Sequence, residues 1–144
     1  MIDPKVMTLL ALAENCSYTK TAKKMALTQP AVTHQIKLLE EDYKIKLFRR
    51  DKKKLVLTPE GEVLVKYARR MSALNDNCRQ AIEDTRMSVH SLNIGMTPTA
   101  EETIVPHVVA RYCNMHNDIH FNVTTDAINN IYDKLKNYEL DLAI

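Results

Sequence analysis

Two stretches of this 144-residue chain hold side chains that could do chemistry, and in both the chemistry is recognition rather than bond making. The first, Thr28-Gln29-Pro30-Ala31-Val32-Thr33-His34 with Lys37 beyond it, mixes small residues with hydroxyl, amide, imidazole and ammonium groups that exchange hydrogen bonds. The second runs from Arg49 to Lys54 and holds five cations, Arg49, Arg50, Lys52, Lys53 and Lys54. Cations at that density suit a polyanion, although a charge run is more often a solvated turn. Covalent chemistry has no comparable footing. The sequence contains no Ser-His-Asp, Cys-His or phosphate-loop spacing, and two glycines leave no room for a Gly-rich nucleotide loop. Cys113-x-x-His116-x-x-x-His120 has metal-ligand composition, but it straddles a helix end and a strand and lacks a fourth ligand nearby. The expectation is therefore a protein that is not an enzyme and uses neither cofactor nor metal.

The elements that must carry these residues follow from periodicity. Val6, Leu9, Leu10 and Ala13 recur at helical spacing after Pro4, and Asn15-Cys16 interrupts the pattern. Ser17 is a good N-cap for a short helix over Tyr18 to about Met25, with Tyr18, Ala22 and Met25 facing inward. After the break Ala26-Leu27-Thr28, Thr28 caps a third helix that tolerates Pro30 in its first turn. Val32, Ile36, Leu39 and Tyr43 form its buried stripe. The opposite face shows Pro30, His34, Lys37 and Glu41, flanked by Ala31 and Thr33. Two helices joined by a three-residue turn, the second with a small polar front, describe a helix-turn-helix. On pattern alone, a three-helix core with a solvated outer face stands beside it. The β-like runs Leu47 to Arg49 and Leu55 to Leu57 flank the cations and read as a hairpin, a basic wing.

Thr58, Pro59, Glu60 and Glu62 then start a helix that meets no proline before Pro98. Leu64, Tyr67, Met71, Leu74, Cys78, Ala81 and Thr85 alternate steps of three and four, an a/d seam of about three heptads. At 1.5 Å per residue such a helix would span roughly 42 Å, so a second copy is its natural partner. Packing within its own chain is the alternative. Ser88-Val89-His90-Ser91 reads as a hinge. Leu92 to Met96, Ile119-Phe121-Val123 and Leu140 to Ile144 read as strands. They alternate with a helix holding Ile104, Val105, Val108, Val109 and Tyr112, entered through Thr97-Pro98-Thr99, and with a helix over Ala127 to Lys136. That order implies a parallel α/β unit.

Charge divides along the same lines. Residues 1–60 carry 12 Lys+Arg against 7 Asp+Glu, residues 61–90 carry 5 against 4, and residues 91–144 carry 3 against 7. A basic front and an acidic back suggest separate modules, the front one suited to nucleic acid. No apolar run reaches the ~18 residues of a membrane span. The start lacks the basic-then-apolar order of a signal peptide, and three scattered cysteines make no disulfide framework. These features favour a cytoplasmic protein with no membrane contact.

Ser17-Tyr18-Thr19-Lys20-Thr21-Ala22, Leu27-Thr28-Gln29-Pro30-Ala31-Val32-Thr33, Ile36, Leu39-Glu40, Leu47-Phe48 with Arg50, and Leu57-Thr58-Pro59-Glu60-Gly61 resemble, without a gap, the N-terminal signature of LysR-type transcriptional regulators. Leu140-Asp141-Leu142-Ala143-Ile144 resembles a strand of that family's effector-binding domain. The resemblance implies a winged helix-turn-helix on a DNA-binding dimer. By position it puts Gln29, Ala31, Thr33, His34 and Lys37 on the recognition helix, Arg50 and Lys52 on the wing, and Thr19 and Thr28 near phosphates at helix ends. Pro30 and Lys53 join this set from the pattern. The resemblance further implies that the long helix pairs antiparallel with its twin. Three departures stand out. Cys16 precedes the capping Ser where the family usually has Gly, Tyr43-Lys44 replaces a Leu-Gly pair, and His116-Asn117 replaces Tyr-Pro.

The expected fold is mainly α: a winged helix-turn-helix over 1–58, a linker and dimerisation helix with hinge over 59–90, and an incomplete effector-binding α/β subdomain over 91–144. The expected function is sequence-specific DNA-binding transcriptional regulation by a homodimer reading paired half-sites with the helix Thr28–Tyr43. The alternative is a truncated module that forms mixed dimers with full-length regulators and dampens them. Leu64, Tyr67, Met71, Leu74, Cys78 and Ala81 are the expected dimerisation residues. Family members continue for about as long again, so only one wall of an effector cleft is expected, at Thr97 and Thr99, and a small-molecule effector is not expected to bind. Double-stranded DNA is the main expected partner, RNA polymerase is a candidate, and a higher oligomer is conceivable for a full-length form.

Overall fold

A computed structural model of the chain describes residues 2–144. The Asp3 carboxylate accepts a hydrogen bond from the Lys5 amide at 2.8 Å and opens α1 (Pro4–Asn15). Ser17 caps α2 (Tyr18–Lys24), and Thr28 caps α3 (Gln29–Tyr43), where Pro30 occupies a position whose amide would have no helical partner. The hairpin consists of β1 (Phe48–Asp51) and β2 (Lys54–Leu57), antiparallel, with Arg50 opposite Leu55 and Asp51 opposite Lys54. An unbroken helix, α4 (Pro59–Met87), follows. Beyond it come β3 (His90–Met96), α5 (Pro98–Glu101), α6 (Val105–Met115), β4 (Ile119–Thr125), α7 (Ile128–Lys136) and β5 (Leu142–Ala143). The strands β4, β3 and β5 form, in that order, a parallel sheet, as the alternation of strands and helices requires.

The chain divides into two compact units, the first ending at Ser72 and the second spanning Ala73–Ile144. In the first, Leu9 and Leu12 from α1, Ile36 and Leu39 from α3, Leu47, and Val65 and Ala68 from α4 form one buried cluster. Each such leucine contributes about 1.5–3 kcal/mol by leaving water. Gly61 serves space rather than flexibility: a Cβ there would lie 2.3 Å from the Leu47 carbonyl oxygen. In the second unit Ile94, Met96, Ile131 and Leu140 are buried.

Several local expectations are corrected. Tyr43 continues the buried stripe in spacing but is 53% exposed; it lies outside the buried cluster that holds Ile36 and Leu39 and lines an open apolar depression with Ile45, Val63, Leu64, Tyr67 and Met71. Tyr18 and Met25, by contrast, face inward as expected: both are half-buried, Tyr18 packs against the core cluster and Met25 Sδ accepts from Thr8 Oγ1 of α1. Leu47 is a core residue ahead of β1 rather than part of it. Ile104 precedes α6 as its N-cap, and α5 is a separate turn. His90 and Ser91, expected in a hinge, lie in β3 and pair with Ile119 and His120 of β4. The last strand is the two residues Leu142 and Ala143, with Leu140 buried before it.

Candidate nucleic-acid interface

The front of α3 is built from its capped end. Thr28 Oγ1 accepts from the Ala31 amide at 3.3 Å, Thr33 Oγ1 donates to the Gln29 carbonyl at 3.0 Å, and Thr19 Oγ1 of α2 donates to Gln29 Oε1 at 3.2 Å. The last bond ties the two helices of the motif together at the turn. Gln29, Pro30, Thr33, His34 and Lys37 line one open, shallow depression. Gln29, Pro30, His34 and Lys37 are exposed, and Ala31 and Thr33 are half-buried. The structure thus brings Gln29, Pro30, Thr33, His34 and Lys37 to one accessible face, while Ala31 lies outside that depression.

The hairpin carries the cations. Lys52 and Lys53 form its two-residue tip with φ of 44° and 69°, the left-handed pair of a type I′ turn. No carboxylate among the described residues pairs with Arg50, Lys52, Lys53 or Lys54, whereas Arg49 lies 3.9 Å from Asp51. Both arms of the wing are anchored. Glu40 of α3 accepts from the Leu47 amide at 2.9 Å and from Lys46 Nζ at 2.7 Å. Thr58 Oγ1 accepts from the Gly61 amide at 2.9 Å and donates to the Lys46 carbonyl. Burial, helped by the Glu40 charge, pushes the Tyr18 phenol above its usual range, with Lys46 and Arg50 opposing. Glu40 and Thr58 were not singled out as positioning residues. No local sequence signal marks the Glu40 contact, because its partners Lys46 and Leu47 lie six and seven residues away.

Along α4, Leu64 is half-buried, while Tyr67, Met71, Leu74, Cys78 and Ala81 are exposed. Leu64, Tyr67 and Met71 join Tyr43, Ile45 and Val63 in an apolar depression on the first unit. In the second unit Thr97 Oγ1 is occupied in capping α5, accepting from the Ala100 amide at 3.3 Å, and Thr99 is exposed. His116 lies against the Tyr112 ring, centroids 4.3 Å apart. Among the described residues no group of three or more His, Cys, Asp or Glu is placed to hold a metal ion, and no helix is long and apolar enough to cross a membrane.

Two family models match the chain: bacterial regulatory helix-turn-helix protein, lysR family, over residues 5–62, and LysR substrate binding domain over residues 86–144. A probable RuBisCO transcriptional regulator of Phaeodactylum tricornutum is 30% identical over 94% of this chain and 45% of its own length. The HTH-type transcriptional regulator CitR of Bacillus subtilis is 30% identical over 95% of this chain and 47% of its own. The chain spans about half the length of the curated relatives it matches. Among solved structures, full-length CbnR complexed with its target DNA aligns with a TM-score of 0.75 at 21% identity, covering 94% of this chain and 46% of that one. Full-length OxyR of Pseudomonas aeruginosa aligns with a TM-score of 0.54 at 21% identity, covering 99% of this chain and 48% of that one.

Proposed function

Because the chain belongs to the LysR family of bacterial helix-turn-helix regulators, we propose that it binds double-stranded DNA sequence-specifically and regulates transcription as a dimer. One observation carries this reading: the small polar front of α3 is exposed on the same unit as a wing in which, Arg49 aside, the cations Arg50, Lys52, Lys53 and Lys54 have no acidic partner among the described residues. Thr33, His34, Gln29 and Lys37 are the proposed base-edge readers, with Pro30 and Ala31 permitting close approach in the major groove. Arg50, Lys52 and Lys53 are the proposed phosphate or minor-groove contacts, and Thr19 and Thr28 the phosphate contacts at the helix ends.

The exposed seam Tyr67, Met71, Leu74, Cys78 and Ala81, with Leu64 at its start, supports pairing of α4 with a second copy. In this reading residues 1–58 read DNA, residues 59–90 set the distance between two heads, and residues 91–144 contribute one wall of an effector cleft near Thr97 and Thr99. The site of action is the cytoplasm, where the bound dimer contacts RNA polymerase or occludes it.

The test is a titration of the purified chain against a random duplex library at two salt concentrations. A dyad-symmetric site whose affinity falls steeply with salt is the expected result; sequence-blind binding at both salts overturns the reading. In the same assay Arg50→Ala is expected to weaken binding to every sequence and to make the salt slope shallower by about one.

A further inference from the structure

Helix α4 ends in a left-handed residue, Ser88 at φ 54°, and the polar run after it has the composition of a flexible joint. The hydrogen bonds around it describe something else. The Asp84 carboxylate, three turns into the second unit's share of α4, is held from two elements. One oxygen accepts from the Ser91 amide of β3 at 2.7 Å; the other accepts from Ser91 Oγ at 2.9 Å and from Gln80 Nε2 at 2.7 Å. The Asp84 carbonyl also accepts from the Val89 amide at 3.0 Å, and the His90 amide donates to the Asp118 carbonyl at 2.7 Å. Two turns earlier, Asn77 Nδ2 donates to the Tyr138 carbonyl, just ahead of β5, at 2.8 Å. Asn77, Gln80 and Asp84 occupy one face of α4, spaced three and four residues apart, and together they reach two different segments of the α/β unit.

We infer that Asp84, Gln80 and Asn77 form a clasp that makes the C-terminal third of α4 an integral part of the α/β unit, so that the joint at Ser88–Ser91 is locked. A carboxylate that accepts both a backbone amide and a hydroxyl from one residue fixes that residue in position and orientation, which a single bond to a long side chain does not. The Asp84 carboxyl lies below its usual range, chiefly because Gln80 donates to it, with the Ser91 amide and hydroxyl and the His120 charge acting in the same direction, so it stays ionised and accepting. The consequence, which rests on the DNA-binding reading above, is that any shift of β3 is passed directly into α4. Asp84, Gln80 and Asn77 are thus positioning residues for the spacing between two DNA-reading heads.

Hydrogen–deuterium exchange on the whole chain tests the clasp without reference to DNA. The amides of Val89 and Ser91 are expected to be protected in the native protein. Asp84→Ala is expected to raise their exchange by about tenfold or more while Ile94 to Met96 stay protected. Ser91→Ala, which removes only the hydroxyl bond, gives a smaller rise and serves if Asp84→Ala does not fold. Fast exchange at 89–91 in the native chain, or no change in either variant, overturns the proposal. A second arm titrates native and variant chains against duplexes in which two half-sites are moved apart one base pair at a time. The native chain should prefer one separation by about tenfold, and Asp84→Ala should flatten that preference to about twofold while a single half-site is bound equally well. An equally sharp preference in a variant that exchanges fast at 89–91 overturns the coupling. Failure of the native chain to bind any duplex counts against the DNA-binding reading, and the exchange arm then decides the clasp alone.

Discussion

Lys44 closes α3 with φ 54° and ψ 41°, a left-handed conformation that costs an L side chain roughly 1–2 kcal/mol. Cys16 does the same after α1 at φ 47°. These are two of the positions where the sequence departs from the family pattern by lacking glycine, and in both the backbone keeps the conformation glycine would favour. Lys44→Gly is therefore expected to raise stability by about 0.5–1 kcal/mol, the relief of strain less the added freedom of the unfolded chain, as read from urea unfolding midpoints. On the recognition face the expectation is one of specificity. Thr33→Ala and His34→Ala should each change base preference at one position of each half-site, by about 1–3 kcal/mol for a direct contact, measured by competition among single-base variants of the selected site. Unchanged preference at every position after both substitutions would sink the register assigned to α3.

Among the elements, α4 is a long helix whose own chain covers only part of its apolar surface. Val65 and Ala68 enter the first unit's core, while Tyr67 is 53% exposed and Leu74 51%. Tyr67→Glu or Leu74→Glu is expected to shift the chain from dimer to monomer in sedimentation experiments, leaving the circular dichroism spectrum intact. The spacing of Leu64 through Ala81 made this seam legible in the sequence, as the caps Ser17, Thr28 and Thr58 made the helix starts legible, because heptads and caps are local signals. The polar front of α3 was legible for the same reason: it is the complement of Val32, Ile36 and Leu39 on a single helix. What was not legible depended on contacts distant in sequence. Ser91 belongs to a strand because it pairs with His120, and nothing in Ser88-Val89-His90-Ser91 itself announces that. Tyr43 repeats the helical period faithfully, yet the period cannot say where the covering elements stop. Glu40 anchors the wing only because the chain returns Leu47 to it.

At the scale of the molecule, an acidic anchor and the use of backbone strain govern how the chain responds to conditions and to change. Asp126 accepts from Lys134 Nζ at 2.8 Å, Asn130 Nδ2 at 2.7 Å and the Ala127 amide at 2.8 Å, and the Lys134 bond leads the causes that bring its carboxyl down to about 2. Its folded value lies below the usual 3.8, so the stability it contributes is present above pH 4 and is lost as pH falls toward 2. Urea unfolding followed from pH 5 to pH 2 is expected to show that loss in the α/β unit, and Asp126→Asn to flatten it. Neither glycine of the chain has a positive φ, while Cys16, Ala26, Lys44, Lys52, Lys53, Ser88 and Tyr138 all do. At the wing tip this creates a conflict between two selective pressures. The residues that relax a type I′ turn are Asn, Asp and Gly, and each of them deletes a cation at position 52 or 53. Replacing Lys52-Lys53 by Asn-Gly would relax the turn but remove two cations, so on the reading proposed above heat resistance gained at the wing tip would come at the cost of its charge toward a polyanion.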